Sequence, residues 1–183
     1  MSRSTVLLIP GLRGAEPDHW QTRWEEERTD CSRIDQGEGD PDPLRWLARI
    51  DAAVDQVPGQ VILVAHGLGC LAVAAWALLS QRATSGRVHA MLVAPCDPSQ
   101  IDAPSVIKRF GCFAFTKLPI PATVVASSDD PYASLGRGYA IARTWGANVV
   151  EAGEAGHIDA NARLGSWRWG QDVLDRLIAR SAV

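Results

Sequence analysis

The sequence predicts a three-layer α/β protein: a parallel sheet with helices on both faces and no cap domain, spanning residues 1–183 as one domain. Two observations carry this. Short apolar runs of strand-forming residues alternate with amphipathic stretches along the whole chain, the pattern that builds parallel sheets through right-handed crossovers. The runs VLLI, VILVA, MLVA and TVVA are also apolar throughout rather than alternating, as expected of strands covered on both faces.

Taken in order, Thr5–Pro10 is the first expected strand. Asp18–Arg28 follows as a helix that places Trp20 and Trp24 on one side, one turn apart. A short strand near Asp30–Ile34 precedes an acidic Gly/Pro-rich loop, Gly37–Pro43. Pro43–Gln56 repeats Leu44, Leu47, Ile50 and Val54 at helical spacing. Val61–Ala65 is a strand and Leu68–Arg82 a helix. Val88–Ala94 and Ala122–Ser127 are further strands, separated by an irregular stretch, Pro95–Pro121, the one place for a small surface loop system. Ala133–Gly146 is a helix stopped by glycine. Asn148–Val150 is the last strand and Leu164–Arg180 the last helix. The seven tryptophans are expected to serve packing, since Trp20/Trp24 and Trp167/Trp169 fall on helix-like segments.

Composition narrows the function classes. The chain has 183 residues, is 46% hydrophobic and 21% charged, and carries 18 basic against 21 acidic residues with no basic stripe, so nucleic acid is not an expected partner. Val61–Leu79 approaches the length of a membrane span, but its strand-like half, its HGLG centre and its helix-forming half read as a buried strand turning into a buried helix. No membrane partner is expected, and the N-terminal apolar run is too short for a signal peptide. Cys31, Cys70, Cys96 and Cys112 lie 39, 26 and 16 positions apart. No CxxC motif results, and reduced thiols in a cytoplasmic protein are the expectation. No histidine has partners at metal-ligand spacing, so neither metal nor cofactor is expected. Of the other histidines, His19 is expected to anchor the first helix, and His89 to sit within a strand.

In such sheets, ligands bind beyond the carboxyl ends of the strands. Three strand ends carry reactive groups. Ala65-His66-Gly67-Leu68-Gly69 has the frame of a nucleophile elbow, small-x-nucleophile-x-small, with glycine where a serine would stand. Alone it is equally a plain glycine turn. Ser127-Ser128-Asp129-Asp130-Pro131-Tyr132 supplies a carboxylate, which alone is equally a helix cap or Asp-Pro turn. Gly156-His157-Ile158 supplies an imidazole. Their order along the chain (nucleophile position, acid, histidine) is that of α/β-hydrolases, and the coincidence is stronger than any one member. Pro10-Gly11-Leu12-Arg13-Gly14 follows the first strand, where this fold supplies an oxyanion-hole N–H. The expected donors are the backbones of Leu12 and Leu68, with Arg13 and His66 as substrate-pocket candidates.

The chain resembles the small lidless α/β-hydrolases related to retinoblastoma-binding protein 9 and to bacterial YdeN. The resemblance is carried by PGL at Pro10–Leu12, DHWQTRWE at Asp18–Glu25, VAHxLGCLAVAxWA at Val64–Ala77, VAPxDP at Val93–Pro98, SSDDPYxS at Ser127–Ser134, GHI at Gly156–Ile158 and LGxW at Leu164–Trp167. It implies a Ser-Asp-His triad, which falls on Gly67, Asp130 and His157. Asp130 is preferred to Asp129 because it precedes the Pro-aromatic turn. The chain departs from the pattern at Gly67 and at Arg13-Gly14-Ala15, where relatives often carry Gly-Asn-Ser.

The implied parent activity is serine-dependent hydrolysis of small carboxylic esters, with a small acyl or ester ligand as partner and no protein partner indicated. Glycine offers no attacking atom, so covalent acyl-enzyme catalysis through position 67 is expected to be lost. Three readings stay open. The chain is an engineered inactive variant of an esterase, a natural general-base enzyme in which Asp130–His157 drives direct water attack, elimination or cyclisation, or a non-catalytic binding protein. Cys70, Ser127 and Ser128 are poor substitutes, the first pointing into the core and the others lacking an oxyanion site.

Overall fold

The computed structural model describes residues 4–12, 14–111 and 116–181. Six strands form one parallel sheet in the order β2-β1-β3-β4-β5-β6: β1 Thr5–Ile9, β2 Cys31–Arg33, β3 Val61–His66, β4 Val88–Val93, β5 Ala122–Ala126 and β6 Asn148–Glu151. The four central strands are the apolar runs, and alternate residues feed two separate cores. Leu7, Ile9, Leu63 and Ala65 pack on one face against α2 (Pro43–Asp55), α3 (Leu68–Leu79), α4 (Ser105–Phe110) and α5 (Leu135–Trp145). Val6, Leu8, Ile62 and Val64 pack on the other against α1 (Trp20–Glu27) and α6 (Arg168–Ser181). Burying both sheet faces this way requires the three layers that the sequence predicts.

Local signals set the helix ends. Asp42 caps α2 by accepting from the Arg45 N–H at 2.8 Å, with Pro43 in the first turn. Gly146 ends α5 in the left-handed conformation at φ +69°. The segment Val61–Leu79 resolves into β3 and α3, and among the described residues no helix is long and apolar enough to cross a membrane.

Four expectations need correction. The helix expected over Leu68–Arg82 stops at Leu79, where Ser80 takes an extended conformation and caps a 3-10 turn over Gln81–Ser85. The last helix starts at Arg168 rather than Leu164, because Arg163, Gly165 and Trp167 all have positive φ. The stretch expected to be irregular, Pro95–Pro121, contains α4, which sits at the mouth of the site. Trp169 is partly exposed, its ring packing at the surface against Trp167 at a centroid distance of 5.9 Å, whereas Trp20, Trp24, Trp46, Trp76, Trp145 and Trp167 are buried as expected. Cys112 lies outside the described residues; Cys31, Cys70 and Cys96 are free thiols.

Candidate active site

Position 67 is where β3 turns into α3. Gly67 has φ +53° and ψ −119°, a conformation that costs an L-residue about 1–3 kcal/mol. Its N–H donates to Val93 O of the neighbouring strand at 3.0 Å. The bend is tight because of Gly69: a β-carbon there would stand 2.7 Å from the carbonyl oxygens of both Ile9 and Pro10. The crowding that demands a small residue at 69 comes from the end of β1.

The loop after β5 places Asp130, and the loop after β6 places His157. His157 Nδ1 lies 2.9 Å from Asp130 Oδ2 and 3.2 Å from Oδ1, and both side chains are mostly buried. Facing a carboxylate, Nδ1 carries the proton and Nε2 is left as the basic nitrogen. A β-carbon built on Gly67 would stand 3.4 Å from that Nε2. Positions 67, 130 and 157 thus converge. Asp129 does not reach the imidazole; its Oδ1 accepts from the Gly156 N–H and the Ser127 hydroxyl, both at 2.7 Å, and so ties the two loops together.

Leu12, His66, Gly67, Leu68 and His157 line one open cavity of about 510 Å³, and Tyr132, Ile107 and Pro104 also line it. Arg13 lies outside the described residues. His66 is almost fully buried, and its Nε2 donates to the carbonyl of His157 at 2.9 Å. Burial, reinforced by the imidazoles of His157 and His19, holds its pKa well below the ordinary histidine value. His19 caps α1, its Nδ1 accepting from the Gln21 N–H, and burial lowers it to about 4. His89 sits in β4, and Cys70 is fully buried within α3, its thiol pushed up by burial. Among the described residues no three His, Cys, Asp or Glu side chains are grouped to hold a metal ion.

One residue at the site escapes the sequence reasoning. Cys96 lines the cavity, with its Sγ 3.9 Å from the β-carbon position of residue 67. Burial, together with Asp130 and Asp97, pushes its thiol up to about 12, so it stands there protonated. Its position just beyond the carboxyl end of β4 is the signal that singles it out, by the same rule that selects 67, 130 and 157. Its neighbour Asp97 is buried and receives a two-pronged contact from Arg137, at 2.7 and 2.9 Å, which fastens the β4 loop to the start of α5.

A parallel sheet with a strained strand-to-helix elbow, an Asp–His pair on the following strand ends and a cavity over all three is the α/β-hydrolase arrangement. A serine hydrolase family profile matches residues 6–176, and the chain belongs to that family. It is 33% identical to a YdeN-like hydrolase from Pectobacterium atrosepticum, with a TM-score of 0.81 over 98% of this chain and 91% of that one. The ydeN gene product of B. subtilis shares the fold at 19% identity and a TM-score of 0.75, over 97% of this chain and 100% of that one. So does Est1E from Butyrivibrio proteoclasticus, solved with ferulic acid bound, at 16% identity and 0.68 over 96% and 90%. No curated protein sequence matches the chain significantly.

Proposed function

We propose that the cavity binds small carboxylic esters, that the parent activity of this scaffold is their serine-dependent hydrolysis, and that this chain, with Gly67, forms no acyl-enzyme. The observation that carries the reading is the intact half of the machinery: Asp130 holds the His157 imidazole, and Nε2 faces the place of a nucleophile's β-carbon at 3.4 Å. A hydroxyl one bond beyond that carbon comes within hydrogen-bond reach of Nε2. The backbone N–H groups of Leu12 and Leu68 are assigned to the oxyanion, where one such donor contributes about 3 kcal/mol to the transition state.

In the chain as it stands, the space of the missing hydroxymethyl admits water, and Asp130–His157 acts on it as a general base. The water oxygen bonds to the acyl carbon as His157 Nε2 takes its proton. The tetrahedral intermediate then expels the alkoxide, which recovers that proton and leaves as the alcohol, with the carboxylic acid as co-product. Removing a serine nucleophile costs about 10⁶-fold in a protease, so turnover by this route is slow.

The test is to assay the native chain beside Gly67→Ser on short-chain p-nitrophenyl esters, with fluorophosphonate labelling of each. Labelling of the serine variant alone, with a gain of about 10³-fold or more, is expected. A serine variant that neither labels nor hydrolyses overturns the ester reading. In the native chain, His157→Ala abolishes any turnover if the dyad acts on water. Binding that persists without turnover in either chain marks a purely binding protein.

A further inference from the structure

The first turn of α1 is tied to the strand ends and to the His157 loop. Beside His19 at the cap, the Trp20 indole N–H donates to the carbonyl of Ile158 at 2.7 Å. Gln21 Nε2 donates to the carbonyls of Ile9, at 3.3 Å, and Val64, at 3.2 Å. From the other side, His66 Nε2 donates to the carbonyl of His157 at 2.9 Å. Two consecutive carbonyls of the histidine loop are therefore gripped by side chains from two different elements, the start of α1 and the end of β3.

That loop has little stiffness of its own. It is reached through Gly-Glu-Ala-Gly, with Gly153 and Gly156 both at positive φ. Ile158, a β-branched residue, adopts φ +53°. Such a backbone persists only where its surroundings over-determine it. The turn adds one bond of its own, Ile158 N–H to Ala155 O at 2.9 Å. The acid loop holds the approach, the Ala155 N–H donating to Ser127 Oγ at 3.0 Å and the Gly156 N–H to Asp129 Oδ1 at 2.7 Å. That leaves the carbonyls of His157 and Ile158 to the side chains of His66 and Trp20. Asp130 grips the imidazole but not the backbone that carries it.

We propose that Trp20 and His66 are positioning residues. By fixing the carbonyls of Ile158 and His157, they set the direction from which the imidazole meets Asp130 and position 67. The almost fully buried His66 ring suits this role, since a neutral ring with Nε2–H against a carbonyl is a constant donor. The kinetic part of the inference rests on the ester reading above; its spectroscopic part does not.

Trp24 provides the control. It belongs to the same aromatic cluster and is equally buried, but its indole N–H donates to Ser166 O at 2.9 Å, beyond the loop. Trp20→Phe and Trp24→Phe remove the same atoms from the same core. Imidazole ¹H–¹⁵N spectra of the native chain are expected to lose the low-field Nδ1–H resonance of His157 in Trp20→Phe and to keep it in Trp24→Phe. In the Gly67→Ser background, Trp20→Phe is expected to lower kcat about 10–100-fold with KM little changed.

A second pair guards against a variant that does not fold: His66→Gln, which retains an N–H donor, keeps the resonance, and His66→Leu loses it. If Trp20→Phe and Trp24→Phe behave alike, or His66→Leu retains the His157 signal, the inference is overturned. Should Gly67→Ser prove inactive, the spectra of the native chain still decide the question, so failure of the ester reading is told apart from failure of this one.

Discussion

His157 holds its Nε2 3.4 Å from the point at which a β-carbon on Gly67 would stand, an ordinary van der Waals separation. The imidazole has therefore not collapsed into the space left by the absent side chain. Its partner Asp130 is in place as well, at 2.9 Å from Nδ1. What opposes a side chain at 67 is the backbone, whose φ of +53° suits glycine and strains everything else.

Gly67→Ser therefore trades stability for chemistry. Releasing residue 67 from glycine costs about 1–3 kcal/mol, equivalent to a melting temperature lower by about 2–12 °C for a chain of this size. Calorimetry of the two proteins checks this. Equal melting temperatures would mean that the elbow relaxes around the serine.

Asp130 and Asp129 are separable by substitution. In the Gly67→Ser background, Asp130→Asn presents an amide to Nδ1 and is expected to lower kcat about 10⁴-fold with the fold intact. Asp129→Asn weakens the link among Ser127, Gly156 and the acid loop, and is expected to lower the melting temperature modestly while sparing most activity. The reverse ranking in steady-state assays would move the acid to Asp129.

His19 makes the protein acid-sensitive. Unfolded, it binds a proton near pH 6.5; folded and buried, only near 4. The unfolded state thus takes up more protons across that window, and stability falls as pH drops from about 6.5 to 4, by on the order of 3 kcal/mol from this residue. Buried His66 adds in the same direction. Asparagine caps helices well, so His19→Asn is expected to keep α1 and to lose about 2 kcal/mol less than the native chain between pH 7 and 4.5 in urea titrations.

Arg137→Ala strands a buried carboxylate. Burial alone would raise the Asp97 carboxyl, but hydrogen bonds from Arg137 and Ser99 outweigh it and hold it below the ordinary range. That stabilisation is present above the ordinary carboxyl value and is lost as pH falls through the folded one. Removing the guanidinium is expected to cost about 1–3 kcal/mol at neutral pH, towards the lower end because Arg137 is itself partly exposed. The gap between variant and native melting temperatures should close below about pH 4.

The strands, the elbow and the order of acid and histidine were legible because each rests on local chemistry: apolar runs, small residues at a bend, polar groups at strand ends. Residues 67, 130 and 157 could be named because the fold brings strand ends together. Cys96, just beyond β4, answers to the same strand-end rule, but the rest of the site does not. The Asp97–Arg137 contact needs the packing of the β4 loop against the start of α5, and α4 lies in a stretch whose Pro and Gly residues read as loop. Trp20 looks like core from its spacing and is core, 1% exposed. Only the crossing of α1 over the β6 loop gives its indole N–H the carbonyl of Ile158.

Gly69 carries a consequence for how such a protein changes over generations. The tightness of the elbow requires glycine at 69, where a β-carbon would meet the carbonyl oxygens at the end of β1, and that requirement is the same whether residue 67 bears a side chain or not. The glycine codons GGU and GGC become the serine codons AGU and AGC by a single base change. Gain or loss of the attacking atom is then a single mutational step on an unchanged frame, and selection for ligand capture and selection for turnover can act on the same cavity by turns.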